Sequence, residues 1–290
     1  MCAPDCSNEV GAFHVPRPCS VELGPCGGAT VTQRDSDYDL SIVIPAFNEA
    51  GRIGPPLRQI GRYLHSLDVS SEIIVVDDGS RDGTGDVVRA IGTDLEVPLK
   101  VISSSPNRGK GHAVRVGMQE ATGRAVLMTD ADLSTPIEEL HRLLQCLADG
   151  FDVVIGSRKM AGAVIEERQP WLRESMGRVF TLLINVLLVR VSDVTCGFKL
   201  FSRNAALEIF SRMRIDDWSF DAEALYIAKR LGLQVQEVPV RWHDVAGTKV
   251  NRGLDALRSL KGIVRILWNG ALGRYDSMPV EGGAGTRSPR

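Results

Sequence analysis

Short runs of Val, Ile and Leu alternate with segments of helical spacing from residue 39 onward. Five apolar runs predict β-strands, at 40–45, 72–77, 99–103, 124–129 and 152–157. Between them, apolar residues recur three or four positions apart, as in Leu57, Ile60 and Leu64, which predicts helices. Strand–helix–strand repetition with Val- and Ile-rich strands predicts an α/β fold, in which helices cover both faces of a mainly parallel sheet.

Polar clusters follow four of these strands at their carboxyl ends. They are PAFNE (45–49), DDGSRDGT (77–84), NRGKGHA (107–113) and TDAD (129–132). Ligands of parallel sheets bind beyond the carboxyl ends of the strands, so we expect the clusters to meet at one site. A nucleotide needs acceptors for its base and ribose, cations for its phosphates and often a metal. The clusters contain these groups in Asp77, Asp78, Arg108, Lys110, Asp130 and Asp132.

Asp130 and Asp132 stand one residue apart where the apolar run AVLMT ends. Alternation along a strand directs residues i and i+2 to the same side. Two carboxylates so placed repel each other unless a cation or a hydrogen-bond network lies between them. A solvated turn is the alternative interpretation, because Asp is common in turns.

Composition and missing motifs exclude several function classes. The 290 residues are 43% hydrophobic and 24% charged, with a formal net charge of −2, which argues against a general nucleic-acid binder. The window 104–111 around Lys110 lacks the first Gly and the Ser/Thr of a Walker loop. The dinucleotide-binding motif G-x-G-x-x-G is absent, because Val114 stands where its third Gly would be. The G-x-S-x-G motif of serine hydrolases is also absent. These absences argue against P-loop ATP hydrolysis, Rossmann-type hydride transfer and serine-hydrolase chemistry.

Residues 1–38 differ in character from the rest and are predicted to form a disordered tail. The segment contains four of the six cysteines together with Pro and Gly, and it has little hydrophobic periodicity. A zinc site is the alternative, but the cysteines lack the close C-x2-C pairs that structural zinc sites usually have.

The ordered succession of motifs resembles the family 2 glycosyltransferases with a GT-A fold. It includes SIVIPAFNEAGRI, EIIVVDDGSRDGT, NRGKGHAVRVGM, MTDADLSTP, TCGFKLF and WSFDAEALYIAKRLG. Within the family, the sequence is most similar to the dolichyl-phosphate β-glucosyltransferase and polyprenyl-phosphate sugar synthase branch. The resemblance covers residues 39–268 and implies a donor and metal half at 39–157 and an acceptor half at 158–268. Residues 269–290 lie outside it and are predicted to be a second disordered tail.

For the donor side, the resemblance implies that TDAD contains the DxD motif, with Asp130 and Asp132 holding Mg²⁺ or Mn²⁺ against a nucleoside diphosphate. Oxygen ligands suit these hard ions, and the metal takes up charge on the leaving nucleotide, so Asp132 is also expected to be catalytic. For Lys110 a solvated surface lysine is the alternative. The residues implied to line the donor pocket are Pro45, Asn48, Glu49, Asp77, Asp78, Lys110 and Asp130.

For the acceptor side, the resemblance implies that Arg158 and Lys249 bind the acceptor phosphate and that Arg158 and Asp221 are catalytic. An ordinary structural ion pair is the alternative for Arg158. Asp221 and Glu223 begin a predicted helix, where carboxylates also interact favourably with the helix dipole, so a structural role stays open for both. A phosphate monoester, with a second pKa of about 6, can attack without a strong base.

The implied activity is an inverting, metal-dependent transfer of glucose or an N-acetylhexosamine from a UDP-sugar to a polyprenyl or dolichyl phosphate. Three alternatives stay open. They are a GDP-mannose-dependent mannosyltransferase, a glycosyltransferase with a soluble or polymeric acceptor, and a non-catalytic nucleotide-sugar-binding partner of a membrane complex.

Relatives in this branch carry membrane anchors or transmembrane helices, whereas no run of about 18 apolar residues occurs here. We therefore expect a cytoplasmic protein, peripheral on the cytoplasmic face of a membrane or held there by an integral membrane partner. Two segments are candidates for the contact, 171–191 and 251–268; for both, a core-facing helix is the alternative. In the second, a basic face of Arg258, Lys261 and Arg265 is predicted opposite an apolar face of Leu257, Leu260, Val264 and Leu267.

Overall fold

A computed structural model describes residues 37–165, 184–185, 187–243 and 252–276; within the last range, the side chains of 252–260 are excluded. The strands are β1 (Leu40–Ala46), β2 (Ser71–Asp78), β3 (Leu99–Ser104), β4 (Ala125–Thr129), β5 (Val153–Ser157), β6 (Val164–Ile165), β7 (Phe198–Ser202), β8 (Val235–Pro239) and β9 (Arg241–Trp242). The helices are α1 (Gly54–Ser66), α2 (Thr84–Gly92), α3 (Lys110–Glu120), α4 (Leu140–Ala148), α5 (Arg203–Arg212), α6 (Phe220–Arg230) and α7 (Arg252–Ala271). All five predicted strands are confirmed, with ends that differ by at most one residue.

Seven strands form one mixed sheet in the order β3-β2-β1-β4-β7-β5-β8. Strand β7 runs antiparallel to both of its neighbours, β4 and β5, and the other pairs in the sheet are parallel. The predicted mainly parallel sheet is therefore confirmed, with one reversed strand. Strands β6 and β9 form a separate parallel pair.

Alternation along the strands divides the core into two layers. Val43, Ile74 and Met128 belong to the layer that also contains buried residues of α3, α5, α6 and α7. Ile44 and Leu127 belong to the opposite layer, with buried residues of α1, α2 and α4. Successive strand residues point to opposite faces, so each buried strand supplies both layers. Helices thus cover both faces of the sheet, as predicted.

The carboxyl ends of β1 and β4 mark the point where the chain reverses its progress across the sheet. From β1 the order runs outward through β2 to β3, and β4 then pairs with the other side of β1. In open α/β sheets this switch point leaves a crevice that binds ligands. The polar clusters of the sequence therefore follow strands that meet at a ligand-binding edge.

The described structure extends beyond the predicted C-terminal boundary at residue 268. Helix α7 continues to Ala271, and Tyr275 is buried and donates a hydrogen bond to Glu223. The prediction of a disordered tail from 269 is therefore wrong up to Asp276, because Tyr275 completes a core contact that local composition does not reveal. The four N-terminal cysteines and most of the 171–191 segment lie outside the described residues.

Among the residues that the structure describes, no helix is long and apolar enough to cross a membrane.

Candidate active site

The loops after β1 and β2 interlock at the edge of the sheet. The Asn48 amide donates to Ser80 Oγ at 2.8 Å, and Asn48 Oδ1 accepts from the Arg81 amide at 2.9 Å. The Glu49 amide donates to Thr84 Oγ1 at 2.8 Å. Asn48 has a φ of 55°, a left-handed conformation that Asn tolerates better than most residues. Asn48 therefore fixes the shape of both loops.

Of the other predicted donor residues, Pro45 and Asp77 are buried in β1 and β2, and Glu49 is partly buried in the loop after β1. Pro45 lies within β1, in register with Val76. Asp77 Oδ1 accepts a hydrogen bond from the Ser80 amide at 3.0 Å, which caps the turn after β2. Glu49 forms a bidentate ion pair with Arg52, with Oε1 and Nη2 2.7 Å apart. These side chains lie at the predicted edge and are already hydrogen-bonded or packed there.

Asp78 organises the loop between β3 and α3. Its carboxylate is buried and accepts hydrogen bonds from Asn107 Nδ2 at 2.8 Å, from the Gly109 amide at 2.7 Å, and from the Arg108 amide and Ser104 Oγ. Gly109 has a φ of 114°, and an added Cβ would overlap the Asp216 carbonyl group. Asp78 and Gly109 thus hold this loop against the chain, with Lys110 at the first position of α3.

Lys110 meets the first aspartate of the DxD motif. Its ammonium group lies 2.6 Å from Asp130 Oδ1, and the Lys110 side chain is 19% exposed. Burial alone would lower the pKa of Lys110, but the charges of Asp130 and Asp221 raise it overall. The alternative of a solvated surface lysine is therefore wrong, because Lys110 is the counter-ion of Asp130.

Gly197 leaves the space that Asp130 occupies. A Cβ added to Gly197 would lie 2.5 Å from Asp130 Cγ, well inside an ordinary contact. Gly197 belongs to the TCGF stretch just before β7, which lies beside β4 in the sheet. The reversed strand therefore brings a small residue to the position where the carboxylate needs it.

Asp132 lies in the turn after β4 rather than on the strand. Its Oδ1 accepts from the Ser134 amide at 3.1 Å and from Ser134 Oγ at 3.0 Å, and the Leu133 amide donates to the Asp130 carbonyl. The expectation that strand alternation aligns the two aspartates is wrong, because β4 ends at Thr129 and both residues follow it. The turn, not the pleat, orients Asp132.

Arg52 is a second cation near the motif, and the sequence did not single it out. Hydrogen bonding to Glu49 raises the pKa of Arg52, and the charges of Asp132 and Asp130 raise it further. Its Nη1 is buried and has no hydrogen-bond partner among the described residues. A buried unpaired donor is costly, so a polar group that reaches this nitrogen would gain a hydrogen bond.

Asp221 forms a buried ion pair with Lys199 behind the motif. Lys199 Nζ lies 2.5 Å from Asp221 Oδ1 and also donates to the Cys196 carbonyl, and Lys199 is 1% exposed. Burial raises the pKa of Asp221, while the charges of Lys199 and Lys110 oppose that rise. Sequence reasoning missed Lys199, although a single charged residue inside the apolar run GFKLF was a usable signal.

Arg158 binds Asp193 through two parallel hydrogen bonds. Arg158 Nε lies 2.7 Å from Oδ2 and Nη2 lies 2.8 Å from Oδ1. Asp193 is fully buried; burial alone would raise its pKa, but the hydrogen bonds and charge of Arg158 lower it to about 2. The guanidinium also lies over the Trp242 ring, 5.4 Å from its centroid. The ion-pair alternative for Arg158 is therefore confirmed, and its predicted contact with an acceptor phosphate stays a prediction.

Glu223 points away from the crevice. Its carboxylate accepts from the Tyr275 hydroxyl at 2.7 Å and from the Ile215 and Arg214 amides. These bonds hold the loop before α6, which carries the exposed Trp218. The Trp218 ring lies 5.2 Å from Lys110 Nζ and forms part of the crevice wall that sequence reasoning missed. Of the two carboxylates at the start of α6, only Asp221 therefore faces the charged cluster.

Lys249, the other predicted acceptor residue, lies outside the described residues.

The model of the family described as "Glycosyl transferase family 2" matches residues 41–210, which include every strand of the crevice. The chain belongs to glycosyl transferase family 2. It is 32% identical over 246 residues to a dolichyl-phosphate beta-glucosyltransferase of Dictyostelium discoideum, covering 81% of this chain and 75% of that protein. It is 33% identical to the Saccharomyces cerevisiae protein of the same name, covering 84% and 78%.

Solved structures confirm the fold of this glycosyltransferase as GT-A. A mannosyl-3-phosphoglycerate synthase from Rubrobacter xylanophilus matches with a TM-score of 0.58 and 19% identity, over 84% of this chain and 78% of that one. A glucosyl-3-phosphoglycerate synthase from Mycobacterium tuberculosis, solved with Mn²⁺ and UDP-glucose, matches with a TM-score of 0.55 and 21% identity, over 89% and 87%. At these identities the likeness concerns the fold alone.

The residues of the crevice fit a hard divalent ion. Asp130 and Asp132 offer only oxygen, and in the described part of the chain no three His, Cys, Asp or Glu side chains converge to hold a metal. Mg²⁺ is commonly held by one or two carboxylates together with substrate phosphates, rather than by a full protein cage. The Lys110 ammonium beside Asp130 shows that this carboxylate already attracts a cation.

Proposed function

We propose that this glycosyltransferase moves glucose from UDP-glucose to dolichyl phosphate or a related polyprenyl phosphate, with inversion at the anomeric carbon. The observation that carries the proposal is the Asp130–Asp132 pair at the switch point, with Lys110 2.6 Å from Asp130. The named activity of the relatives that are about one third identical supports the choice of sugar and acceptor.

Asp130 and Asp132 would hold Mg²⁺ or Mn²⁺ in this proposal. When bound, the ion stabilises negative charge on the diphosphate of the leaving UDP. Lys110 lies 2.6 Å from Asp130, and the charges of Asp130 and Asp132 act on Arg52, whose Nη1 has no hydrogen-bond partner among the described residues; both cations would contact the diphosphate oxygens. Asp77, Asp78, Asn48, Glu49 and Pro45 would shape the nucleotide pocket through the loops that they fix.

The chemical step is a direct displacement. A phosphate oxygen of the acceptor attacks C1 of glucose, the bond from C1 to the UDP oxygen breaks, and UDP leaves with the bonding electron pair. Because a phosphate monoester is largely dianionic near neutral pH, no proton has to be removed. Asp221, paired with Lys199 at 2.5 Å, would then act as a fixed negative charge that positions Lys110. Arg158 and Lys249 would hold the acceptor phosphate.

The direct test is a transfer assay with the full-length protein, UDP-glucose, Mg²⁺ or Mn²⁺ and dolichyl phosphate, followed by mass spectrometry of the lipid product. We expect β-glucosyl lipid, no product in excess chelator, and at least a ~100-fold loss in Asp132→Asn. Asp149→Asn, a change of the same type on the surface after α4, should leave the rate unchanged. Transfer to phosphoglycerate but not to the lipid, or efficient use of GDP-mannose, would contradict the proposal.

Arg52 provides a separate test of the donor side. Loss of one charge-assisted hydrogen bond, worth about 1.5–3 kcal/mol, should weaken UDP binding in Arg52→Gln by at least ~10-fold, as measured by calorimetry. Arg58→Gln, which removes an exposed arginine from α1, is the matched control and should bind UDP normally. Equal affinities in the two variants would remove Arg52 from the donor site.

A further inference from the structure

Helix α7 presents two different faces. Ile263 and Ile266 are fully buried and pack with the core layer of α3, α5 and α6. On the opposite side, Val264 is 60% exposed, Trp268 64% and Leu272 51%. Val264 and Trp268 are the most exposed large apolar side chains among the described residues. The predicted apolar face is therefore wrong at Val264, which lies on the solvent side because Ile263 and Ile266 take the core positions.

Lysine and arginine share this solvent side. Lys261 and Arg265 are exposed and lie within one turn of Val264 and Trp268. Residues three or four apart are neighbours on a helix surface. Leu272 continues the same row, because its amide donates to the Trp268 carbonyl at 3.0 Å. These five residues, Lys261, Val264, Arg265, Trp268 and Leu272, are called the exposed α7 face below.

Further arginines adjoin the exposed α7 face. Arg265 Nη2 donates to the Arg214 carbonyl at 3.3 Å, and Arg214 Nε donates to the Arg274 carbonyl at 3.2 Å. The one carboxylate among the described side chains of 261–276, Asp276, is paired with Arg230 at 2.7 Å. In the adjoining loop, Asp216 is paired with Arg115 and Asp217 accepts a hydrogen bond from the Ser219 amide, so basic side chains outnumber free carboxylates around the apolar row.

The exposed α7 face starts beside the active site. Gly262 packs so closely on α6 that an added Cβ would overlap Ser219 Oγ, and Gly270 packs on the Tyr226 ring. Ser219 follows Trp218, whose ring lies 5.2 Å from Lys110 Nζ. Helix α7 therefore runs along α6 from the wall of the crevice outward.

We propose that the exposed α7 face docks on the anionic surface of a lipid bilayer, with Trp268 at the headgroup level. Tryptophan is enriched at membrane interfaces, and basic residues interact favourably with anionic lipids. Lys261 and Arg265 can keep their charges at the headgroups while their aliphatic stems lie along the apolar row. A stable protein interface uses about 20–30 residues a side, more than this single row offers. The inference rests on the proposed function, because a lipid acceptor requires the crevice to lie near a bilayer.

Vesicle binding of the full-length protein tests the proposal, with phosphatidylcholine vesicles that contain or lack phosphatidylserine. We expect binding that needs phosphatidylserine and weakens with salt. Val264→Ser with Trp268→Ser should weaken it by at least ~10-fold. Lys261→Gln with Arg265→Gln should weaken it by about 30-fold, from about 1 kcal/mol for each basic residue.

The matched control is Val164→Ser with Ile165→Ser, which removes two exposed apolar side chains from β6. This variant should bind vesicles as the wild type does. Brominated lipids should quench the wild type more than Trp268→Phe, because quenching requires the indole to reach the bilayer. The proposal would be overturned if the Val264 and Trp268 double variant bound vesicles with wild-type affinity, or if the β6 control lost as much affinity as that variant. Failure of the wild type to bind vesicles would also overturn it.

Two further measurements separate this proposal from the proposed function. UDP binding, and transfer to a short-chain polyprenyl phosphate in detergent, should be unchanged in the Val264 and Trp268 double variant, whereas transfer to dolichyl phosphate in vesicles should fall. A wild type that binds vesicles through the exposed α7 face but transfers no glucose would instead contradict the proposed function alone.

Discussion

Gly197→Ala should inactivate the enzyme while leaving the fold almost unchanged. The new Cβ would lie 2.5 Å from Asp130 Cγ and closer still to Oδ2, whereas ordinary contacts begin at 3.4 Å, so the carboxylate has to move by more than about 1 Å. Asp130 and Lys110 are partly exposed, and a pair of this kind contributes roughly 1 kcal/mol or less to stability. A displacement of about 1 Å in a catalytic site can reduce the rate about 100-fold, which is about 2.7 kcal/mol in the barrier. We therefore expect activity to fall far more than stability.

The assay compares kcat/KM, the calorimetric affinity for UDP with Mn²⁺, and the free energy of unfolding in urea. Gly51→Ala is the matched control, because a Cβ there meets nothing within 4 Å although the residue lies in the loop beside Arg52. It should behave as the wild type in all three measurements. Full activity in Gly197→Ala would show that the position of Asp130 does not matter, and an unfolded variant would show that Gly197 has a structural role instead.

Two other predictions concern the buried ion pairs. Lys199→Met leaves Asp221 buried without its closest counter-ion and should lower the free energy of unfolding by about 3–5 kcal/mol, as measured by urea denaturation. The double variant Lys199→Met with Asp221→Leu should recover most of this loss. The pKa of Asp193 is about 2 in the folded protein, below its ordinary value of 3.8. Its pairing with Arg158 therefore stabilises the fold above about pH 4, and this contribution is lost as the pH falls through 2. The contribution of this ion pair to the free energy of unfolding is about 2 kcal/mol. In a plot of the free energy of unfolding against pH, the fall at low pH should become shallower in Asp193→Asn but not in Asp149→Asn. Identical curves for these two variants would contradict the assignment.

The sequence predicted β1 to β5, five of the nine described strands, because their apolar runs are short, Val- and Ile-rich and bounded by polar loops. It predicted neither β7 as a strand nor its antiparallel direction, since strand direction depends on the connection and not on local composition. That reversal brings Gly197 to Asp130 and Lys199 to Asp221. The motif aspartates were thus visible in the sequence, while the residues that make room for them and neutralise them were not.

Helix α7 shows the same limit. Its amphipathic pattern was correctly interpreted as a helix, but the pattern left open which apolar residues would face the core. The close contact of Gly262 with Ser219 fixes the rotation of the helix and turns Val264 to solvent. A contact between two small residues far apart in the chain has no signature in hydrophobic periodicity.

The charges of the site are arranged in pairs. Asp130 is paired with Lys110, Asp221 with Lys199 and Asp193 with Arg158. Under the proposed function, Asp130 would hold the divalent ion in place of Lys110, and Lys110 would pair with an oxygen of the donor diphosphate instead. Either ligand alone would leave one charge poorly compensated, because Lys110 competes with the ion and Asp130 repels the phosphate. Metal and nucleotide should therefore strengthen each other's binding by the same factor, as thermodynamic linkage requires.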